Sequence, residues 1–113
     1  MLTVRIPHGV TGHIIPWNYP MQIAGRSVGA SLAAGNACVV KPAEDASLSL
    51  LRLAEIATEV GFPAGALNVV TGYGKEAGAA LCAHPGIDHI SFTGSTMTGR
   101  SVGLAAAERH CPV

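Results

Sequence analysis

Four short stretches of this chain hold side chains whose types and spacing could do chemistry. In "PWNYP" (residues 16–20) one amide, Asn18, stands between two aromatics and two prolines. Each proline fixes its own φ and biases the residue before it towards extended geometry, so the stretch reads as a rigid loop that holds a polar group still. In "KPAE" (41–44) a lysine and a glutamate stand three positions apart. A carboxylate leaving a strand suits the two hydroxyls of a ribose and repels a 2′-phosphate, and Lys41 could donate to the same sugar. The plainer reading is a solvated loop with Glu44 in the next helix's first turn. "FTGSTMTG" (92–99) sets a Gly-Ser-Thr turn ahead of a helix. Free N–H groups there suit a pyrophosphate, with Gly94 letting the backbone come close, Ser95 offering a hydroxyl and Gly99 in the first turn. The plainer reading is that Ser95 and Thr96 cap the helix. "TGYGKEAG" (71–78) places Gly72, Gly74 and Gly78 near the spacing of a dinucleotide fingerprint, with one residue too many. It reads as turn glycines and a wall beside a ligand. Cys82, His84 and His89 lack a zinc spacing, and no metal site or Ser/His/Asp set is legible.

Each stretch follows an apolar run, and those runs are the elements that must position it. Strands are expected at 9–15, 36–41, 66–71 and 89–93, and helices at 21–35, 47–61, 75–84 and 96–110. In the second helix Leu50, Leu53, Ala54, Ile56, Ala57 and Val60 share a stripe opposite Arg52, Glu55 and Glu59, with Ser47 or Asp45 as N-cap. Continuously apolar strands alternating with helices imply a parallel, Rossmann-like doubly wound α/β sheet of four strand–helix units. In such sheets ligands bind beyond the carboxyl ends of the strands, where strand order reverses, and all four stretches are strand exits. The chain stops at "CPV", where a fifth strand is expected to begin.

Composition narrows the partners. The chain has 113 residues, one domain's worth, with 49% hydrophobic residues and only 12% charged, against roughly 25% charged in typical soluble domains. Mean hydropathy is +0.38. Such a surface suits a chain partly covered by more protein. Net charge is zero with no basic run, so neither nucleic acid nor an anionic membrane is an expected partner. No apolar run reaches the ~20 residues of a membrane span, and the N-terminus lacks a signal-peptide pattern. Three widely spaced cysteines suit reduced thiols, and a cytoplasmic location is expected.

Taken together and in order, "IPWNYP", "GNACVVKPAE", "GFPAGALNVVTG" and "ISFTGSTMTG" resemble the aldehyde dehydrogenase superfamily, from about Pro7 to the C-terminus. The resemblance implies a cofactor-binding domain for NAD, with NADP less favoured, in an enzyme that oxidises an aldehyde to a carboxylate. It implies that Asn18 donates to the substrate carbonyl oxygen as a cysteine thiolate attacks. It also implies that Lys41 and Glu44 take the adenosine ribose, Gly74 lines the adenine, Gly94, Ser95 and Gly99 meet the pyrophosphate, and Ile15, Pro16 and Trp17 flank the nicotinamide half. Trp17 and Tyr19 can equally be read as buried packing aromatics.

Two departures stand out: Arg26-Ser27 where many members carry Trp-Lys, and Lys75 where many carry proline. The family's catalytic cysteine and the glutamate of a Glu-Leu-Gly-Gly motif are expected beyond Val113. Residues 1–113 therefore read as part of the NAD-binding domain, without the catalytic domain or oligomerisation arm, of an enzyme whose full-length form is a homo-oligomer. A catalytically dead remnant that only binds nucleotide or partner subunits is the alternative. A glutamyl-phosphate reductase is a third reading, which "KPAE" and "FTGST" oppose.

Overall fold

In the computed structural model, which describes residues 1–113, the four apolar runs become β1 (Val10–Ile15), β2 (Ala37–Pro42), β3 (Leu67–Val69) and β4 (His89–Phe92). All pair in parallel, in the order β3-β2-β1-β4. Ile14 lies opposite both Lys41 and Phe92, and Ile15 opposite Pro42, so three strands end at one level. Parallel strands need crossovers, and the connections place helices on both faces. The doubly wound α/β reading holds.

Helices α1 (Pro20–Ala33) and α2 (Leu48–Glu59) cover one face, where Ile15, Ala24, Val28, Cys38, Val40 and Leu50 form a core cluster. Helices α3 (Ala79–Ala83) and α4 (Thr96–Ala107) cover the other, around Leu81, Cys82, Ile87, Ile90, Val102 and Ala106. Strand alternation divides β1 between them. Thr11, His13 and Ile15 face α1, and a Cβ at Gly12 would meet Ile87 and Leu81 at 3.3 and 3.4 Å on the far side. Each large aliphatic side chain buried in these clusters contributes roughly 1.5–3 kcal/mol.

One polar group is sealed into the first face. His13 is 2% exposed, and its Nε2 lies 2.9 Å from the Thr11 hydroxyl, which also meets Ser31 Oγ at 2.8 Å and the Ala37 carbonyl at 3.1 Å. Its Nδ1 has no partner. Burial first, and the nearby His89 second, push the His13 imidazole down to about 4.

Several boundaries differ from expectation. The first helix begins at Pro20, which needs no N–H at a helix start. A 3₁₀ turn, Glu44–Ala46, precedes α2, and Ser47 takes helical dihedrals and makes no side-chain cap bond. The third strand is shorter than 66–71. The third helix is not regular over 75–84: Gly74–Gly78 is a π turn, with the Gly78 N–H reaching Tyr73 O at 3.4 Å, followed by only five α-helical residues. After α4, Arg109 donates to the carbonyls of Cys82 at 2.8 Å and Ile87 at 2.7 Å, which turns the C-terminus back. The Pro112 carbonyl then accepts from Ile90 N–H at 2.9 Å, so the outer edge of β4 is partly occupied by "CPV" itself. No helix is long and apolar enough to cross a membrane.

Candidate functional site at the strand exits

From β1 the chain passes through α1 to β2 on one side, whereas β4 returns to the other side of β1. The reversal point is therefore the gap between the β1 and β4 exits, closed by a Thr93 N–H to Ile14 O bond of 3.2 Å. At the β1 exit Ile15 is buried and Pro16 half-buried, and the chain then turns outward. Trp17 and Tyr19 are 69% and 62% exposed, so they are not packing aromatics. Asn18 between them is exposed, and its side chain makes no hydrogen bond within the chain. The Tyr19 carbonyl accepts the Ile23 N–H at 3.0 Å, anchoring the loop to the first turn of α1.

At the β2 exit the Ala43 N–H bonds Ile15 O at 2.8 Å, tying this loop to the β1 exit. Lys41 is not solvated. Its side chain is 3% exposed, and its Nζ donates to Glu44 Oε2 at 3.2 Å, while the glutamate side chain remains 45% exposed. Its own backbone N–H and then the Lys41 ammonium hold the Glu44 carboxyl below its ordinary value. A carboxylate so fixed keeps lone pairs free for further donors.

At the β4 exit Ser95 is the N-cap of α4. Its Oγ accepts the Thr98 N–H at 3.2 Å and lies 2.9 Å from Thr98 Oγ1. The Gly99 N–H goes to Ser95 O at 2.8 Å, leaving the Thr96 and Met97 amides open at the positive end of the helix. The glycines here have a local cause as well. A Cβ at Gly94 would lie 2.6 Å from Phe92 Cζ, and one at Gly99 would lie 3.2 Å from Phe92 Cε1, because the ring packs across the turn.

The β3 exit completes the edge. The Gly74–Gly78 π turn and α3 face the first turns of α4 across a cleft of about 630 Å³, whose walls include Ile14, Gly74, Lys75, Gly78, Thr98 and Ser101. Thr98 and Ser101 were not singled out in the sequence. Their common orientation follows from helix geometry once the start of α4 is fixed, and Ser95 as N-cap was the available signal. The cysteines do not form a nucleophilic centre: Cys38 and Cys82 are buried, and burial pushes the Cys82 thiol up despite Arg109. The half-buried Cys111 has its thiol 3.6 Å from the Ile87 and Pro112 carbonyls, away from the strand exits. His84 accepts the Gly86 N–H at 3.0 Å.

The sequence model of the aldehyde dehydrogenase family matches residues 1–113, the whole chain. The chain belongs to that family. It is 64% identical over 111 residues to a hydroxyisobutyraldehyde dehydrogenase of Mycolicibacterium austroafricanum, a match covering 98% of this chain and 22% of that relative. Among solved structures it superposes with a TM-score of 0.96 and 78% identity on a Burkholderia cenocepacia protein provisionally named as an aldehyde dehydrogenase, covering 97% of this chain and 23% of that one. It also matches a Staphylococcus aureus betaine aldehyde dehydrogenase in complex with NAD+, at a TM-score of 0.90 and 39% identity, over 94% of this chain and 21% of the other. The chain thus spans about 22% of the length of the curated relatives it matches.

Proposed function

We propose that this chain is the dinucleotide-binding part of an enzyme that oxidises an aldehyde to its carboxylate with NAD. What carries the reading is the meeting, at one sheet reversal, of an unpartnered amide, a helix start with open N–H groups and an apolar cleft beside it. The residues fit the cofactor. The cleft takes a flat ring against Gly74, and the Thr96 and Met97 amides take the pyrophosphate where Gly94 and Gly99 keep the approach clear of side chains. Ser95 holds that helix start in place. Glu44, steadied by Lys41, accepts from the ribose hydroxyls and disfavours a 2′-phosphate, which supports NAD over NADP. Ile15, Pro16 and Trp17 flank the nicotinamide half.

When bound, the dinucleotide supplies the hydride acceptor. Asn18 donates its amide to the aldehyde oxygen as a thiolate adds to the carbonyl carbon and negative charge gathers there. Pro16 and Pro20 hold the loop in advance, so no ordering step accompanies the chemistry. The thiolate is assigned to the part of the longer relatives that this chain does not span, since Cys38 and Cys82 are buried in the two core clusters and Cys111 sits against the Ile87 carbonyl, ahead of β4 and not at its exit. Calorimetric titration of the chain with NAD, NADP and ADP-ribose tests the cofactor half. NAD and ADP-ribose are expected to bind and NADP to bind more weakly; no binding of any of the three refutes the reading.

A further inference from the structure

Lys75 is the one charged residue among those that line the cleft between the Gly74–Gly78 turn and α4. It is exposed and enters none of the chain's salt bridges, which join Lys41 to Glu44 and Arg52 to Glu55 and Glu59. The rest of the wall is apolar or hydroxyl-bearing: Ile14 at the floor, Ala79 beside the turn, and Met97, Thr98 and Val102 on α4. No carboxylate is among the lining residues, and the neighbouring Glu76 makes no salt bridge with the ammonium. Apart from Lys75 the slot is uncharged, and its apolar sides fit a flat aromatic occupant. A cation at its rim is attracted to the electron-rich face of such a ring. A phosphate would need several converging donors, and those of this cleft, the open amides at the start of α4, stand on the wall across from Lys75.

We infer that Lys75 is a specificity-determining residue that holds the adenine ring of the dinucleotide by a cation–π contact. The inference rests on the cofactor reading above. It places the contribution of Lys75 on the base and not on the phosphates, so the gain is present for adenosine alone and absent for ligands without adenine. Its charge gives the cleft a preference for electron-rich bases that a wholly apolar wall does not have.

The test uses the 113-residue chain with adenosine, ADP-ribose, NAD and nicotinamide mononucleotide as probes, titrated against the wild type, Lys75→Met and Lys75→Arg. Methionine keeps the apolar stem and removes the charge, and arginine keeps the cation. Lys75→Met is expected to weaken adenosine, ADP-ribose and NAD alike, by about two- to fivefold. Nicotinamide mononucleotide should bind as before, Lys75→Arg should retain the affinity, and the unfolding midpoint should not move. Unchanged adenosine binding in Lys75→Met overturns the inference and leaves the cofactor reading standing. So does a loss confined to phosphate-bearing ligands. A wild-type chain that binds none of the adenine ligands overturns both.

Discussion

Asn18 takes no part in the fold's own hydrogen bonding, so replacing it separates chemistry from stability. In a chimera where residues 1–113 replace the matching segment of the hydroxyisobutyraldehyde dehydrogenase relative, Asn18→Ala is expected to lower kcat by roughly a hundred- to a thousandfold. NAD affinity and unfolding temperature should stay as they were; an unchanged kcat removes Asn18 from the chemistry. Glu44 is the opposite case, because it is paired with Lys41 within the fold and is also the residue proposed to take the ribose. Glu44→Gln leaves the Lys41 ammonium, 3% exposed, without its charged partner. It should cost about 1–2 kcal/mol in urea unfolding and narrow the preference for NAD over NADP in binding. His13 sets the acid limit of the fold. Its folded pKa of about 4 lies below the ordinary 6.5, so the native state takes up the proton less readily than the unfolded chain. The stability it contributes is complete above pH 6.5 and is lost as pH falls towards 4. His89, lowered by burial and by His8, acts in the same direction. His13→Leu should flatten the acid limb of a stability-versus-pH curve; an unaltered limb would place the acid sensitivity elsewhere.

At the scale of elements, the strand exits were legible because proline and glycine punctuate them and their polar residues follow apolar runs. Asn18, Lys41, Glu44, Gly74, Gly94, Ser95 and Gly99 do all lie along one edge, since parallel strands send every carboxyl end the same way. The widened turn at Gly74–Gly78 was not legible: over five residues an apolar pattern cannot separate a period of 3.6 from a longer one, and glycines fit both. The burial of Lys41 was also hidden, because it depends on where β2 sits between β1 and β3. Nor does sequence show that Gly94 and Gly99 answer to the Phe92 ring as well as to any ligand. This gives an element-level prediction. Gly94→Ala forces a methyl against Phe92 and should cost about 1–3 kcal/mol. Most of that should return in Gly94→Ala/Phe92→Leu, and purely additive losses in the double-mutant cycle would mean that the ring is not the obstacle.

For the whole molecule, the radius of gyration is 13.8 Å, close to the roughly 13 Å expected of a compact domain of this length. Loose packing therefore does not explain why only 20 of 113 residues are buried and why Leu48, Val60, Met97 and Leu104 stand exposed. The apolar composition foretold uncovered surface, but not its place, which is set by which helix flanks turn outward. The isolated chain is expected to associate at micromolar concentration, seen as a concentration-dependent sedimentation coefficient; a constant monomer value would show that these flanks are tolerated in water. How far association through the sheet edges, as distinct from the helix flanks, can run follows from the Pro112 carbonyl lying on Ile90. A sheet with two free rims is a bifunctional monomer and can grow without limit, whereas one with a single free rim is monofunctional. With the β4 rim partly claimed, the rim of β3 is the main one left for another strand. Two copies meeting there are related by a two-fold axis and exhaust each other's valence, so assembly should terminate at closed pairs, with no fibres.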